Sequence, residues 1–502
     1  MAINAGGSLN SVPASQKQTL ATNYLDLSSA SNAGWGQQYL PDLMEKEAEV
    51  FGPRTISGFL AQVGAEEAMT ADQVVWSEQS RLHLSYKGYI SGSDVFTVVC
   101  DIDENVAVDG FVVNDHGVRV NDTVIIANAN GVAKGLVTTI TDAAITVKAY
   151  NGATIAALGS AGDKTSTLLV YGSEYGKATG YYQEDSGTVT REHNSHKANE
   201  PKFKTFTNKP IIMKDYYEIS GSDASRIGWV EVSTEAGQGG YLWYLKAESD
   251  TRSRFNDYVE MSMLESVIGL DTTSGQFTGA ANSVDAHIRA NGDRVGTEGL
   301  FAAIEARGNV TTGVTGVNAA TDLAEFDAIL AEFDKQGAIE EYMMFVDRST
   351  SLAMDDMLAS MNSYGAGGTS YGVFNNSEDM ALNLGFTGFR RGSYDFYKSD
   401  MRYLNDKATR GGINAAAGSG AIRGMLVPAG TSSVYDQTVG ASMKRPFLHV
   451  RYRASQTDDR RMKTWTTGSV GAATSALDAM QIHMLTERCL ITQGANNFML
   501  MK

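Results

Sequence analysis

Residues 241–268, YLWYLKAESDTRSRFNDYVEMSMLESVI, contain neither proline nor glycine, and the architecture turns on them. A helix over this stretch rises about 1.5 Å per residue and is roughly 40 Å long, well beyond the usual three turns. Both ends are apolar. Tyr241, Leu242, Trp243, Tyr244 and Leu245 open it, and Phe255, Tyr258, Val259, Met261, Leu264 and Ile268 recur at helical steps near its end. Between them lies a charged waist in which Glu248 precedes Arg252, and Asp250 precedes Arg254, by one helical turn, the orientation that supports a water-exposed helix. Gly269 supplies a left-handed stop. A helix sunk in a single core carries a continuous apolar stripe. The interrupted stripe predicts a spine with Phe255, Tyr258 and Val259 packed inward on its own subunit, and Glu248, Arg252 and Arg254 facing solvent or another chain. The alternative is two shorter helices separated at 249–253.

Downstream of this spine, GLFAAIEARGNV (299–310) reads as a short helix with a glycine stop. TDLAEFDAILAEFDKQG (321–337) is a marked helix with Thr321 as cap, Leu323, Phe326, Ile329, Leu330 and Phe333 on one face, and Gly337 at its end. It leads into a buried strand, EYMMFVD (341–347), and a second helix capped near Ser349 or Thr350 that carries Leu352, Met357, Leu358 and Met361. That order predicts a layered α/β domain. LNLGFTGFRRGSYDFYKSD, AIRGMLVPAG, PFLHVRYRA and IHMLTERCLITQGANNFMLM supply strands, with loops expected at GGINAAAGSG (411–420) and SQTDDRRMKTWTTG (455–468).

Upstream, residues 1–40 have hardly any periodic apolar pattern and Lys17 and Asp26 as their only charges, so alone they bury too little to offset their ordering entropy. Pro41 opens a short acidic helix closed by Gly52 and Pro53. An arm ordered only against something else, or a disordered tail, fits this composition. Residues 56–91 combine a helix-like start with strand-like alternation in RLHLSYKGYI, and similar material returns after 172. Between them VFTVVC, FVVNDHGVRV, DTVIIANANGVAKGLVTTI and AAITVKAYNG are short β-branched runs with hairpin turns at Asn130-Gly131 and Asn151-Gly152, which predicts a small β-barrel or sandwich over 93–171. So long a two-way excursion usually serves another molecule.

The chain has 502 residues, more than one core usually organises. Its formal charge of −17 argues against a surface that embraces nucleic acid everywhere, though not against local basic patches. Cys100 and Cys489 sit in strand-like runs and read as buried small hydrophobes of a reducing compartment. The start MAINAGGSLN lacks the features of a signal peptide, and no apolar run is long enough to span a membrane, so a soluble protein made in the cytoplasm is expected.

Motifs for chemistry are weak. Gly368-Thr-Ser-Tyr-Gly372 matches the nucleophile-elbow pattern and would make Ser370 the nucleophile of a serine hydrolase, but a glycine loop precedes it where a strand is required. GSAGDKT (159–165) has a phosphate-loop flavour, yet its spacing is wrong and a strand follows, so it reads as a hairpin turn. His193 and His196 lack further ligands in a fitting pattern, and Asp101, Asp103 and Glu104 lack the spacing of a calcium loop. Arg451 and Arg453, within the basic stretch Lys444 to Lys463, alternate with apolar residues and predict a solvated or partner-facing strand face. No catalytic residue, cofactor or metal is assigned.

The order of these parts resembles the major capsid protein of tailed bacteriophages, the Hong Kong 97 type fold. The resemblance implies an α+β fold: N-terminal arm (1–56), extended loop (57–92 and 172–220), peripheral domain with the spine helix (221–310), axial domain (311–480) with GAGGTSYG as its loop near the capsomer centre, and closing strands (481–502). Thr486-Glu487 and Gly494-Ala-Asn-Asn-Phe498 read like the closing segment of such a protein. The β domain inserted at 93–171 departs from the family pattern and points towards the crAss-like phage branch. The implied function is structural: self-assembly, as hexamers and pentamers, into the icosahedral head that encloses double-stranded DNA without sequence-specific binding. The implied partners are further copies, a portal, a separate scaffold if any, and head-fibre or auxiliary capsid proteins, with the virion as location and no membrane. Glu248, Arg252, Arg254, Arg451 and Arg453 are the candidates for assembly contacts.

Overall fold

The computed structural model describes residues 59, 65–79, 85–102, 116–141, 143–152, 154–159, 164–177, 203–222, 232–233, 239–240, 242–269, 296–362, 388–429, 431–436, 441–469 and 473–502. The chain divides into two compact units, Met1–Val74 with Asn208–Lys502, and Val75–Thr207. The expected N-terminal arm lies outside the described residues.

After β1 (Ala65–Met69), which belongs to the larger unit, the chain enters the smaller one through β2 (Val74–Gln79), whose return partner is β9 (Phe203–Asn208). Between them β3 (Ser85–Ile90), β4 (Val95–Asp101), β5 (Asp122–Asn128), β6 (Gly131–Thr141), β7 (Ala144–Ala149) and β8 (Ser166–Ser173) close into a barrel in the order β3-β4-β7-β6-β5-β8. Burial alternates residue by residue along β3 and β4, as period-two strands with one face inward require. Tyr86, Phe96, Val124, Ile126, Val137, Ile145, Val147 and Leu168 fill the interior, and Ile155 of the 3-10 turn Ile155–Leu158 joins them. Asn128 and Asn130 hold that turn by donating to the Leu158 carbonyl at 2.9 and 2.7 Å. Gly88 marks a bulge where a Cβ would stand 2.0 Å from the Thr97 carbonyl oxygen, so only glycine lets β3 and β4 pair there.

Two expectations for this unit need correction. The barrel takes in Ser85–Ile90, which the sequence placed in the extended loop, because β3 pairs with both β4 and β8 and supplies the closing strand. Asn151-Gly152 is a turn but no hairpin, since β7 pairs with β4 and β6 and the chain passes through the 3-10 turn before β8. The other hairpin joins β5 to β6, with Asn128 opposite Gly131.

The larger unit continues with β10 (Ile211–Ser220), the short pair β11 (Val232–Ser233) and β12 (Gly239–Gly240), the spine helix α1 (Leu242–Glu265), α2 (Leu300–Arg307) and β13 (Asn309–Thr311). Then come α3 (Ala319–Gln336), β14 (Glu341–Val346), α4 (Arg348–Asn362), β15 (Gly388–Arg391), β16 (Tyr394–Asp400), α5 (Arg402–Asn405) and α6 (Arg410–Ala417). The closing strands are β17 (Gly424–Pro428), the hairpin β18 (Thr431–Asp436) with β19 (Ala441–Pro446), β20 (Leu448–Arg453), β21 (Lys463–Gly468), β22 (Ala479–Thr492) and β23 (Met499–Met501).

These strands make two principal sheets. One has five strands, β1-β20-β22-β10 with β21 also on β22; the other has six, β13-β23-β17-β14-β16-β15. The six-stranded sheet is buried on both faces at its centre, which is why YMMFV reads as an apolar run after the exposed Glu341. Tyr342, Met344, Val346, Leu426, Met499 and Met501 point to one core, with Phe326, Ile329 and Phe333 of α3 and Met354, Met357 and Leu358 of α4. Phe345, Met425, Val427 and Leu500 point to the other, with Met263 and Leu264 of α1, Leu300, Phe301 and Ile304 of α2, and Val450 and Leu490 of the five-stranded sheet.

Local corrections follow from capping chemistry and pairing. The cap of α3 is Asn318, whose carbonyl oxygen accepts from the Thr321 amide at 3.0 Å, so Thr321 lies inside the helix. Asp347 caps α4 by accepting from the Thr350 amide at 2.8 Å and the Ser349 hydroxyl at 2.8 Å, and Leu352 is exposed. GGINAAAGSG is mostly helix, because Asn414 replaces the missing turn signals with paired bonds to the Ile422 backbone, 2.7 and 3.0 Å long. The segment 455–468 ends in β21, which completes an edge of β22. Hence β20 and β21, expected in the axial domain, lie in the sheet under α1, whereas β23 joins the six-stranded sheet.

Closure of the barrel by β3 has a direct consequence. A fragment of residues 85–177 should give a β-type circular dichroism spectrum and a cooperative melt, with stability of only a few kcal/mol at that size. The fragment 93–171, which lacks β3, should show no cooperative melt.

Candidate assembly surfaces

Helix α1 begins at Leu242 and ends at Glu265, one residue later and three earlier than the sequence predicts. The apolar step that matters is four residues: Phe255, Val259 and Met263 are all buried, and Phe255 and Val259 pack on Met484 of β22 with Met213 of β10 at the edge. Tyr258, expected to pack inward, is 47% exposed, because a stripe built on steps of four leaves it on the flank. The guanidinium of Arg254 lies 5.9 Å from the Tyr258 ring centre.

In the waist Arg252 and Arg254 are exposed, Glu248 is half-buried and Thr251 is buried, and one of the two expected ion pairs differs. Arg252 pairs with Glu248 at 2.8 Å. Arg254 turns from Asp250 to Asp215 on β10, donating at 3.2 Å from Nε and 2.8 Å from NH2. Asp215 is held by a strand and partly shielded, its Oδ1 accepting from the Tyr216 amide, so Oδ2 is a pre-ordered acceptor on which both Arg254 donors converge. Near the end of α1, Glu265 accepts from the Tyr403 hydroxyl at 2.7 Å and from Arg410 at 3.0 Å, and burial together with this bond raises the Tyr403 pKa.

The strand face expected to meet solvent or a partner is instead occupied within the chain. Arg451 pairs with Glu67 at 2.9 Å, and Arg453 pairs with Asp72 and with Glu487 at 2.8 Å. Asp72 holds the Arg453 guanidinium pKa above its ordinary value. Arg460 reaches the other oxygen of Glu487 at 2.9 Å. Beside it Arg488 donates to the Thr486 hydroxyl at 2.9 Å and the Arg461 carbonyl at 2.7 Å, and lies 3.3 Å from Glu66, which also pairs with Arg461. Burial lowers the Arg488 pKa, and Glu66 and Glu260 of α1 pull it back up against Arg461. Sequence reasoning missed Glu66, Asp215 and Arg488, and singled out Glu487 only as part of a closing segment, without its ion pairs. The signal for Glu487 and Arg488 was a polar triplet, Thr486-Glu487-Arg488, inside a mostly apolar strand.

On the outward face of the five-stranded sheet Tyr216, His483 and Trp465 are direct neighbours across β10, β22 and β21. Their rings stack at 6.1 and 5.2 Å, and His483 Nε2 lies 2.6 Å from the Thr467 hydroxyl. Tyr216 and Trp465 remain exposed, so this ladder, like the flank of α1, presents aromatic surface open for contact.

Groups with chemical potential elsewhere are enclosed. Cys100 and Cys489 are both buried and outside any disulfide, and burial pushes Cys489 up to about 12, far from a reactive thiolate. Asp101 is buried in the barrel. Among the described residues no cluster of three or more His, Cys, Asp or Glu could hold a metal, and no helix is long and apolar enough to cross a membrane. Ser370, His193, His196, Asp103 and Glu104 lie outside the described residues.

No family model matches the chain, and no curated protein matches it. Solved structures similar to it include one from Mycobacterium phage Ogopogo, at 11% identity over 91% of this chain and 96% of that one, with a TM-score of 0.37. Another is from Microbacterium phage Oxtober96, at 9% identity over 95% and 99%, with a TM-score of 0.37. A third is the capsid structure of the cyanophage P-SCSP1u, at 7% identity over 95% and 98%, with a TM-score of 0.38.

The division of α1 into buried and exposed sides is testable by chemical denaturation. Phe255→Ala should cost about 3–5 kcal/mol, the range for emptying a buried aromatic site. Tyr258→Ala should cost less than about 1 kcal/mol, since it removes a flank contact only.

Proposed function

We propose that this chain is a structural subunit of a protein shell, the major capsid protein of a tailed double-stranded DNA phage with the Hong Kong 97 type fold. The observation that carries the proposal is the path of the chain through the five-stranded sheet. The chain leaves by β1 for the excursion Val75–Thr207 and returns by β10 to the same sheet; α1 then packs on it, and the C-terminal β22 lies between the two arms. A separate α/β layer, with α3 and α4 on one face of the six-stranded sheet, follows. That is the arrangement that the resemblance of the sequence implies: extended loop, spine helix, axial layer, closing strands.

In this role the chain assembles with copies of itself, as hexamers and pentamers, into an icosahedral head around DNA that it encloses without reading its sequence. Portal, scaffold and auxiliary head proteins are the further partners. The exposed arginines of the α1 waist and the Tyr216–His483–Trp465 ladder are available for contacts between copies, whereas Arg451 and Arg453 are committed to partners in their own chain.

The waist gives the test. Arg252→Glu with Arg254→Glu breaks the pairs to Glu248 and Asp215, both of which involve exposed arginines, and should lower subunit stability by only about 1 kcal/mol. The same reversal recurs in every copy, and like charges facing each other across an interface cost several kcal/mol per contact. Sedimentation under assembly conditions should show wild-type particles and, for the folded double variant, free subunits or aberrant assemblies. Particles of normal size and yield from the variant would remove the waist from the subunit contacts.

A further inference from the structure

The two arms of the excursion are attached to the five-stranded sheet by opposite means. The returning arm, β10, pairs with β22 over ten residue pairs, buries Ile219, and packs Met213 against Phe255, Val259 and Met484. The outgoing arm, β1, has the sequence AEEAM, pairs with β20 over five residue pairs at the sheet edge, and buries Met69 as its single side chain. What it offers instead is charge. Glu66 meets Arg461 and Arg488, Glu67 meets Arg451, and Asp72, just beyond the strand, meets Arg453, which also donates to the Thr70 carbonyl at 3.2 Å. A strand with so little apolar burial is held mainly by backbone bonds at one edge and by ion pairs, several of them open to water and therefore screened by salt.

The arginines on the sheet side are also prepared for its departure. Without β1, Arg453 retains Glu487 at 2.8 Å, and Arg488 retains the Arg461 carbonyl and the Thr486 hydroxyl. The buried Arg488 and the half-buried Arg453 therefore both keep a partner, so at these two positions the penalty that normally guards a buried ion pair is largely avoided. We propose that β1 is a salt-released latch: it leaves β20 as a unit, freeing the outgoing arm and uncovering the β20 edge, while β10 and β22 stay paired. The latch is independent of the shell role.

Hydrogen exchange of the full chain, read by mass spectrometry, tests this at low salt and at about 1 M sodium chloride, where the screening length falls to ~3 Å. Peptides covering 65–72 should exchange about tenfold faster in high salt, with those covering 211–220 and 479–492 unchanged, because local opening is independent of global unfolding. The variant Glu66→Gln, Glu67→Gln, Asp72→Asn should exchange fast at 65–72 already in low salt and lose the salt response. The latch is overturned if wild-type 65–72 keeps its protection in high salt, or loses it only in step with 211–220 and 479–492. Should the triple variant fail to fold, the wild-type salt series decides alone.

Discussion

Strand β22 is the constraint on which the larger unit depends, because it is hydrogen-bonded along both edges for most of its length. Residues 479–488 face β10 on one side, while 480–485 face β21 and 488–492 face β20 on the other. Its fourteen residues supply Met484 to the floor under α1 and Leu490 to the core shared with the six-stranded sheet. This two-sided pairing satisfies the backbone groups of a segment this buried. The partners are remote: Ile211 stands opposite Arg488, so closing that pair orders a very long loop and places the sheet among the slow, non-local steps of folding. The spine helix then docks on a platform that exists only once the end of the chain has arrived.

The polar triplet Thr486-Glu487-Arg488 inside this strand has a consistent physical role. A one-residue slip of β22 would carry Glu487 and Arg488 to the opposite faces and strip both of their partners. Ion pairs buried in this way are weak evidence for stability, since desolvation offsets much of the attraction. Their demanding geometry nonetheless penalises every wrong register, and here it also ties β1, through Glu66, to the Arg488 guanidinium.

How much of this was legible in the sequence depended on whether the deciding partner was near in the chain. Helices α3 and α4, strand β14 and the barrel strands β4 to β7 were readable because periodicity and Gly337 are local signals, whereas of the run FVVNDHGVRV the described residues 116–120 form no strand. The caps slipped by a few residues because Asn318 and Asp347 stand just upstream of the hydroxyl residues chosen. Tyr258 was misplaced because a stripe of steps of three and a stripe of steps of four overlap, and the floor formed by Met213 and Met484 selects between them. The pairing of Arg254 with Asp215, and of Arg451 and Arg453 with Glu67, Asp72 and Glu487, could not be read at all, since those acids lie tens to hundreds of residues away. An alternating Arg pattern looks the same whether its partner is water, another subunit or the other end of the same chain.

The central claim is that this architecture builds a shell, with the spine, its sheet and the layered domain forming one tile. Negative-stain electron microscopy of the concentrated, purified full chain tests it most directly. Closed particles of uniform size, or rings of five and six subunits, are the predicted result. A population that stays monomeric across concentration, salt and crowding conditions would contradict the account.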